Sequence, residues 1–523
     1  MSKAMVGRSS SRGTLPRLAA ACCLALSLRL APAAQAPDPL PEIRSFRAAH
    51  EHQILDELAQ LLAIPNVASD RRDIQRNAEA IEVMLRQRGL TPELLEPAEA
   101  PDAPPLIYAQ WKVAGAKRTL VLYAHYDGQP VNPAEWVTGP WTPTLRSAPL
   151  SQGGAVIALD SPGSTNDHVR LYARGAGDDK AGVMVILSAI EALHALHLHP
   201  TDNLIVAFEG EEEAGSPHLG RILSEHRALF PAQLWVICDG PVHPSGRIEI
   251  TYGARGDMNA DLTVYGPNRP LHSGHYGNWA PNPALRLARL LASMKDEKGR
   301  VTIPGWYDGI EPLGGMERRA LAEAARYDDT IRRELGLAAP ESEWSLPQAV
   351  MLPSLNINGM RSANVGDEAA NVIPATATAV LDMRLVVGEN PQKQFEKLVA
   401  FVRSQGYYVI DREPTPAERL AHPLIATLRL RPGIYAAARM PMSNPFARDV
   451  ATAVRSAASG PILEVPASGG SLPLSVISGA LGTPSMVVSI ANYDDNQHAA
   501  NENLHLGNLW DGIDIYAALL LHR

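Results

Sequence analysis

Cysteine is scarce in this sequence, which limits the covalent cross-links that the protein can form. Three cysteines occur in 523 residues. Two of them, Cys22 and Cys23, lie in an N-terminal segment that we predict to be removed. Only Cys238 then remains in the mature chain, which excludes an intramolecular disulfide framework.

A basic surface signature is also missing. The formal net charge is -9 at pH 7, and the Lys and Arg residues form no long run. Proteins that bind nucleic acid usually carry a positively charged patch that meets the phosphate backbone. Nucleic acid is therefore not expected among the partners.

The N-terminal hydrophobic run is too short to span a membrane. Basic residues precede the apolar run Leu18–Leu28, which Arg29 ends at about half the length of a membrane-spanning helix. Small residues follow through Ala34-Gln35-Ala36. We interpret residues 1–36 as a secretory signal peptide, with Ala31-Pro32-Ala33 as an alternative cleavage site.

The cysteines of this segment allow a second interpretation, a lipid anchor. This alternative is disfavoured because Ala19 stands where a lipid-attachment motif usually carries Leu. We expect a secreted, periplasmic protein with no transmembrane span in its mature chain.

Short apolar runs alternate with helical patterns through much of the chain. The runs are continuous, as in strands buried on both faces of a sheet: Thr119–Ala124, Asn203–Phe208, Gln233–Cys238 and Ser485–Ile490. Helical spacing is found at Glu51–Leu62, Ile74–Arg88 and Ala181–Leu196, and resumes near Asn444. This alternation predicts an α/β fold with a doubly wound, mostly parallel sheet.

The pattern changes from about Pro244 onward. Asn259–Tyr265 and Ala375–Leu385 alternate polar and apolar residues, as half-buried antiparallel strands do. Together with helical patterns at Pro283–Met294 and Gln392–Ser404, they predict an inserted α+β domain. Arg412–Pro441 is interpreted as an irregular return segment. The predicted domains are a catalytic domain of residues 37–243 and 441–523, and an inserted domain of residues 244–440.

Two acidic clusters interrupt this otherwise ordinary core, at Asp178-Asp179 and Glu211–Glu213. Carboxylates that are brought together repel one another and lose solvation, so they need a shared proton, a basic partner or a metal ion. His125, Asp127 and Asp239 stand at predicted strand ends, where ligands gather in such sheets.

Each signal also has a purely structural interpretation. A histidine at a strand end, such as His125 or His498, is most often hydrogen-bonded and structural, and one Asp of the first cluster can cap a helix. The second cluster can be a solvated loop. The stretch GAGDDK lacks the ending of a phosphate-binding loop. Taken together, two histidines and several carboxylates at one sheet edge favour two zinc or manganese ions.

Seven motifs occur in an order that resembles a known family. The family is that of the dinuclear-zinc exopeptidases and deacylases, including carnosine-type dipeptidases, carboxypeptidase G, aminoacylase and acetylornithine deacetylase. The resemblance extends from about Glu51 to the C-terminus, and Asp239 is more similar to the dipeptidase branch. The motifs are LYAHYDGQP, ARGAGDDKAG, FEGEEEAGS, LHSGHYG, NVIP, GGSLP and HAANE.

This resemblance implies two zinc ions, with manganese or cobalt as alternatives. The implied ligands are His125, Asp178, Glu213, Asp239 and His498, with Asp178 bridging both ions. Glu212 is implied as the general base, and Asp127 as the residue that orients His125.

The inserted domain is similar to the family's lid and dimerisation domain, which implies a homodimer. His272 resembles the residue that reaches into a partner's active site to stabilise the oxyanion. Arg384, with Gly470 and Ser471, would hold the terminal carboxylate of the substrate, and Asn371 is a further candidate there. The structural alternative for Arg384 is a surface cation.

Three departures from the family pattern bear on substrate preference: Ala181 after the Asp-Asp-Lys, Glu211 before the Glu pair, and the polar loop Tyr493–Gln497. The expected function is hydrolysis of dipeptides or short peptides with a free C-terminal carboxylate. The alternatives are an N-acyl amino acid deacylase and a non-catalytic peptide-binding protein.

Overall fold

Most predicted helices and strands are found close to their expected positions in a computed structural model of the chain. The structure describes residues 38–521, together with Ser10 and Gly13. Apart from those two residues, the predicted signal peptide lies outside the described part of the chain. The strands are β1 (Glu93–Leu95), β2 (Leu106–Trp111), β3 (Thr119–His125), β4 (Thr144–Arg146), β5 (Val156–Ile157), β6 (Arg170–Tyr172), β7 (Asn203–Glu209), β8 (Leu234–Ile237), β9 (Glu249–Thr251), β10 (Gly253–Ala254), β11 (Gly256–Tyr265), β12 (Leu271–His272), β13 (Ser354–Arg361), β14 (Val372–Ile373), β15 (Thr376–Leu385), β16 (Tyr408–Ile410), β17 (Ile425–Leu430), β18 (Ala438–Arg439), β19 (Leu463–Val465), β20 (Ser485–Val488) and β21 (Asn503–His505). The α-helices are α1 (Leu40–Leu62), α2 (Arg71–Gln87), α3 (Lys180–Ala195), α4 (Leu219–Glu225), α5 (Ser273–Tyr276), α6 (Pro283–Ala292), α7 (Gly315–Ala324), α8 (Asp328–Glu334), α9 (Leu346–Val350), α10 (Pro391–Ser404), α11 (Pro416–Ala421), α12 (Pro445–Ala457), α13 (Leu474–Leu481) and α14 (Leu506–Leu520).

The largest sheet has eight strands in the order β1-β2-β7-β3-β8-β20-β9-β19. Its centre, β7-β3-β8-β20, is parallel, whereas β1, β2 and β7 pair antiparallel at one side and β20 pairs antiparallel with β9. The α/β fold class is confirmed. The sheet is more mixed than predicted, because short edge strands give no parallel or antiparallel signal in a sequence.

The central strand β3 shows why the sequence forms this sheet. All seven of its residues are buried. Leu120 and Leu122 contribute to one hydrophobic core, and Val121 and Tyr123 to the core on the opposite face, as alternation along a strand requires. Burying each Leu or Val side chain contributes roughly 1.5–3 kcal/mol, so helices are held on both faces.

Helix α3 begins directly behind the first acidic cluster. The carboxylate of Asp179 accepts hydrogen bonds from the backbone amides of Gly182 (3.2 Å) and His125 (3.1 Å). Gly182 is needed because a β-carbon there would lie 2.4 Å from both Asp179 Oδ1 and the carbonyl oxygen of Cys238. The capping interpretation thus holds for Asp179, which leaves Asp178 available for another role.

A second sheet, β13-β15-β11-β17-β16, has its own hydrophobic core with α6 and α10. Strands β11 and β15 alternate buried and half-buried residues, as predicted. The interpretation of Arg412–Pro441 as irregular is wrong, because this range contains α11, β18 and the inner strand β17. Proline and arginine residues on both sides of Ile425–Leu430 led to the wrong prediction. The strand is buried because it pairs with β11 and β16.

The described residues from Leu40 onward form one compact unit that includes both sheets. The domain boundaries near residues 243 and 440 therefore stay a prediction. Among the described residues, no helix combines the length and the apolar character needed to cross a membrane.

Candidate metal centre

The carboxyl edge of the large sheet collects residues from distant parts of the chain. His125 ends β3, and Glu213 lies in a short turn after β7. Asp239 and His498 follow β8 and β20, respectively, and Asp178 precedes α3. The sheet topology thus brings all five predicted metal ligands to one place, as expected for the strand ends of an α/β sheet.

The five side chains form two groups that share Asp178. In the first group, His125 Nε2 lies 2.9 Å from Asp178 Oδ1 and 3.6 Å from Asp239 Oδ2. In the second, His498 Nε2 lies 3.1 Å from Asp178 Oδ2 and 3.3 Å from Glu213 Oε2. Each oxygen of Asp178 therefore faces a different group, which is the arrangement that a bridging ligand requires.

The donor set fits two divalent cations. Within each group, one ligand atom per residue can be chosen so that these atoms all lie within 4.8 Å of one another. Each group offers one imidazole and two carboxylates, a combination that suits zinc and also manganese. Three protein ligands per ion leave a coordination position open for substrate, as catalytic sites need.

The buried carboxylates of the two metal groups would be stabilised by positive charge. Burial, reinforced by Asp178, raises the pKa of Glu213 to about 8, and burial raises that of Asp239 to about 6. A hydrogen bond with Asp178 raises the pKa of His498 to about 9. Burial acts to raise the pKa of Asp178, yet His125 and His498 hold it below its ordinary value. Carboxylates crowded in this way are stabilised by cations.

Asp127 connects the first group to Glu212. Its Oδ1 lies 3.3 Å from His125 Nδ1. Its two oxygens also accept hydrogen bonds from the backbone amides of Glu212 and Glu213, at 3.0 Å each. One buried carboxylate thus fixes a histidine ring and the turn that carries both glutamates.

Glu212 differs from its neighbour in its contacts. The carboxylate of Glu213 accepts a hydrogen bond from Gln129 Nε2 at 2.7 Å. Among the described residues, the carboxylate of Glu212 forms no hydrogen bond, and it lines the cleft beside the metal groups. Burial, with Asp239 and Glu213 adding repulsion, raises its pKa well above the usual value.

Three residues that sequence reasoning did not select hold the site in place. Glu502 accepts hydrogen bonds from Arg174 Nη1 and from the backbone amide of Asp178. Gln497 Nε2 donates to Asp178 Oδ2 at 2.8 Å, and Gln129 holds Glu213. Glu502 lies in the motif HAANE and Gln129 in the motif LYAHYDGQP. Their positions in these motifs were the only sequence signal that could have indicated a role at the site. Gln497 lies in the loop noted as a departure.

The metal groups open onto a cleft of about 640 Å³ that also reaches the second sheet. Arg384, Gly470 and Ser471 all line this cleft. Arg384 Nη1 donates to Ser471 Oγ at 3.0 Å, and its Nε lies 3.2 Å from Asp382 Oδ1. The structure thus brings three of the four predicted carboxylate-binding residues together in the same cleft as the metal groups.

Two predicted residues lie elsewhere. His272 is exposed and is not among the residues that line the cleft. Asn371 is exposed too, and its carbonyl oxygen accepts the amide of Ser273, so it lies beside His272 rather than beside Arg384. Glu211 faces His218, with 2.9 Å between Oε2 and Nδ1, and belongs to neither metal group.

Comparisons with known proteins identify the family of the chain. The model of peptidase family M20/M25/M40 matches residues 121–522. A Cys-Gly metallodipeptidase of Candida albicans is 26% identical over 498 residues, covering 88% of this chain and 92% of that protein. The Beta-Ala-His dipeptidase of Homo sapiens is 24% identical over 512 residues, covering 93% of each. The solved structure of an M20 family metallo-carboxypeptidase from Sulfolobus solfataricus has a TM-score of 0.73 at 25% identity, covering 89% of this chain and 98% of that one.

The family match covers most of the chain and includes all five residues of the two metal groups. The resemblance noted from the motifs is thereby confirmed. The three relatives described above are a metallodipeptidase, a dipeptidase and a metallo-carboxypeptidase. The protein is accordingly a metal-dependent peptidase hydrolase, and the chain belongs to peptidase family M20/M25/M40.

Proposed function

We propose that the protein hydrolyses dipeptides or short peptides that have a free C-terminal carboxylate, with two zinc ions as cofactors. The observation that carries this proposal is the joint placement of two metal-binding groups, an unpaired glutamate and an arginine in one cleft. The similarity to dipeptidases supports the same substrate class.

The proposed roles follow from the contacts of each residue. Bound to the two groups, divalent ions would polarise the peptide carbonyl and lower the pKa of the attacking water. Glu212 takes the proton of that water and passes it to the leaving amine, because its carboxylate is free of other hydrogen bonds. Asp127 fixes the ring of His125 and the backbone of Glu212, so we propose it as a positioning residue.

Arg384 would bind the C-terminal carboxylate of the substrate. Its planar guanidinium lines the cleft with Ser471 and can donate two parallel hydrogen bonds to a carboxylate. The carboxylate of Asp382, 3.2 Å from Nε of Arg384, helps to hold the guanidinium. This contact would fix the distance between the chain end and the cleaved bond, which favours short substrates.

We test this function with dipeptides and matched N-acetyl amino acids, using metal-loaded wild type and Glu212→Gln. Glutamine cannot accept the proton but leaves the metal groups intact, so we expect a rate loss of several orders of magnitude at unchanged metal content. Cleavage of N-acetyl substrates alone would assign the protein to the deacylases. Cleavage of neither set would favour a peptide-binding protein.

We further propose that residues 244–440 act as a lid and that the protein is a homodimer. The exposed position of His272 supports this arrangement, because the side chain does not line the cleft of its own chain. Sedimentation measures the oligomeric state. A fully active monomer would refute a role of His272 across a dimer.

A further inference from the structure

A carboxylate outside both metal groups lines the same cleft. Glu249 is the first residue of β9, and its side chain is half-buried, with its exposed part on the cleft. It belongs to neither metal group. The proposed function gives it no role, and the sequence motifs did not include it.

The direction of Glu249 follows from the strand register. Ile250 packs into the hydrophobic core on one face of the large sheet. Glu249 and Thr251, its neighbours on either side, therefore face the opposite way, and both line the cleft together with Val487, which pairs with Thr251. The carboxylate is thus part of the floor of the cleft.

Glu249 also lies close to the first metal group. The backbone amide of Ser489 donates to the carbonyl oxygen of Glu249 at 3.3 Å. The hydroxyl of the same serine donates to the carbonyl oxygen of Asp239 at 3.1 Å. One residue therefore separates the backbone of Glu249 from that of a predicted metal ligand.

The described part of the chain offers no polar partner to this carboxylate. Among residues 38–521, none hydrogen-bonds to the side chain of Glu249 or forms an ion pair with it. The cation Arg384 is engaged by Asp382 and Ser471, and His243 is bonded to Ser245. Burial raises the pKa of Glu249 to about 7. A desolvated carboxylate without a partner is costly, and a ligand cation would remove that cost.

We propose that Glu249 selects substrates by binding a cationic group, an ammonium or guanidinium, on the peptide that the metal centre cleaves. This inference rests on the proposed function and defines its substrate class. A peptide carries such a group on any basic side chain and on its free α-amine, and the N-terminal residue offers both positions. Arg384 would then bind the anionic end of the same substrate.

The test compares lysyl-alanine with norleucyl-alanine, which lacks only the side-chain charge, and alanyl-alanine with propionyl-alanine, which lacks the α-amine. Propionyl-alanine is measured as a substrate or an inhibitor. The proteins are metal-loaded wild type, Glu249→Gln, Glu249→Asp and a control, Glu323→Gln. Glu323 lies on α7 with a half-exposed side chain and does not line the cleft. Metal content and melting temperature are measured for each.

If a basic side chain is bound, wild type favours lysyl-alanine at least tenfold in kcat/KM. Glu249→Gln then removes that preference through KM, while Glu249→Asp keeps part of it. If the α-amine is bound, Glu249→Gln raises KM for alanyl-alanine at least tenfold and leaves the affinity for propionyl-alanine unchanged. The control leaves all values unchanged.

The inference is overturned if Glu249→Gln leaves the kinetic or binding values for all four compounds within threefold of wild type. It is also overturned if the variant shifts the values for all four compounds equally. Either result can occur while dipeptides are cleaved, so the proposed function would stand. If wild type cleaves no dipeptide, the proposed function itself fails.

Discussion

Replacing Glu502 tests whether the metal centre depends on a buried carboxylate that does not bind metal. Glu502 is fully buried and accepts four hydrogen bonds: from Arg174 Nη1 (2.7 Å) and from the backbone amides of Gly175 (3.1 Å), Gly177 (2.9 Å) and Asp178 (3.0 Å). This one side chain therefore holds the loop that positions Asp178, the proposed bridging ligand.

The expected cost of Glu502→Ala follows from what it leaves behind. Arg174 is 2% exposed, so its guanidinium would stay buried without its ion-pair partner. Breaking a buried pair in this way costs about 3–5 kcal/mol. The freed backbone amides add to this unless water enters the space, and whole domains are stable by only about 5–15 kcal/mol. Glu502→Gln keeps an acceptor oxygen and should lose less.

Urea unfolding of wild type and both variants measures the change. The control is Asp261→Ala, which breaks the partly exposed pair between Asp261 and Arg431 (2.7 Å) and should cost at most about 1 kcal/mol. Chelator competition should show weaker metal binding for Glu502→Ala, since Asp178 loses its support. A loss of less than about 1 kcal/mol for Glu502→Ala would refute the reasoning.

Other contacts lead to three more expected outcomes. Asp127→Asn should lower metal affinity about 10–100-fold in chelator competition, because the carboxylate that faces His125 and holds the turn is lost; unchanged affinity would contradict its positioning role. Metal removal should lower the melting temperature, because the buried carboxylates lose their compensating charge; a melting temperature that does not respond to added zinc would count against the site. Glu249→Gln should raise the free energy of unfolding at pH 8 but not at pH 4. The pKa of Glu249 is about 7 in the folded chain and 4.5 ordinarily. Its ionisation therefore opposes folding increasingly above pH 4.5 and fully above pH 7, by about 3 kcal/mol. Equal stability changes at both pH values would contradict this.

The central part of the fold could be predicted because its signals are local. The run Thr119–Ala124 is apolar at every position but its first, and such a run is stable only when both faces are covered. Strand ends then follow from run ends, which is why His125 and Asp239 could be placed at one sheet edge. Strand β17 could not be predicted, since its burial depends on β11 and β16 rather than on its own pattern.

The residues that hold the metal ligands in place were harder to predict, because they contact the ligands from distant positions in the sequence. Gln497 and Asp178 are 319 residues apart in the sequence and 2.8 Å apart in the structure. No local pattern distinguishes a glutamine that meets a carboxylate from one that meets water. The HAANE motif and the polar loop Tyr493–Gln497 both pointed to this region, but neither indicated the contacts of Glu502 or Gln497.

The same reasoning explains why Glu249 was not selected from the sequence. A single glutamate before Ile250-Thr251 is typical of a solvated strand end. Its environment becomes unusual only because β9 pairs with β20, which brings Ser489 and the Asp239 backbone next to it. Charges that the fold compensates, such as Glu502 with Arg174, stabilise the protein, whereas a charge that it leaves uncompensated in a cleft is available to a ligand. Glu502 therefore has a structural role, whereas the position of Glu249 favours a role in binding.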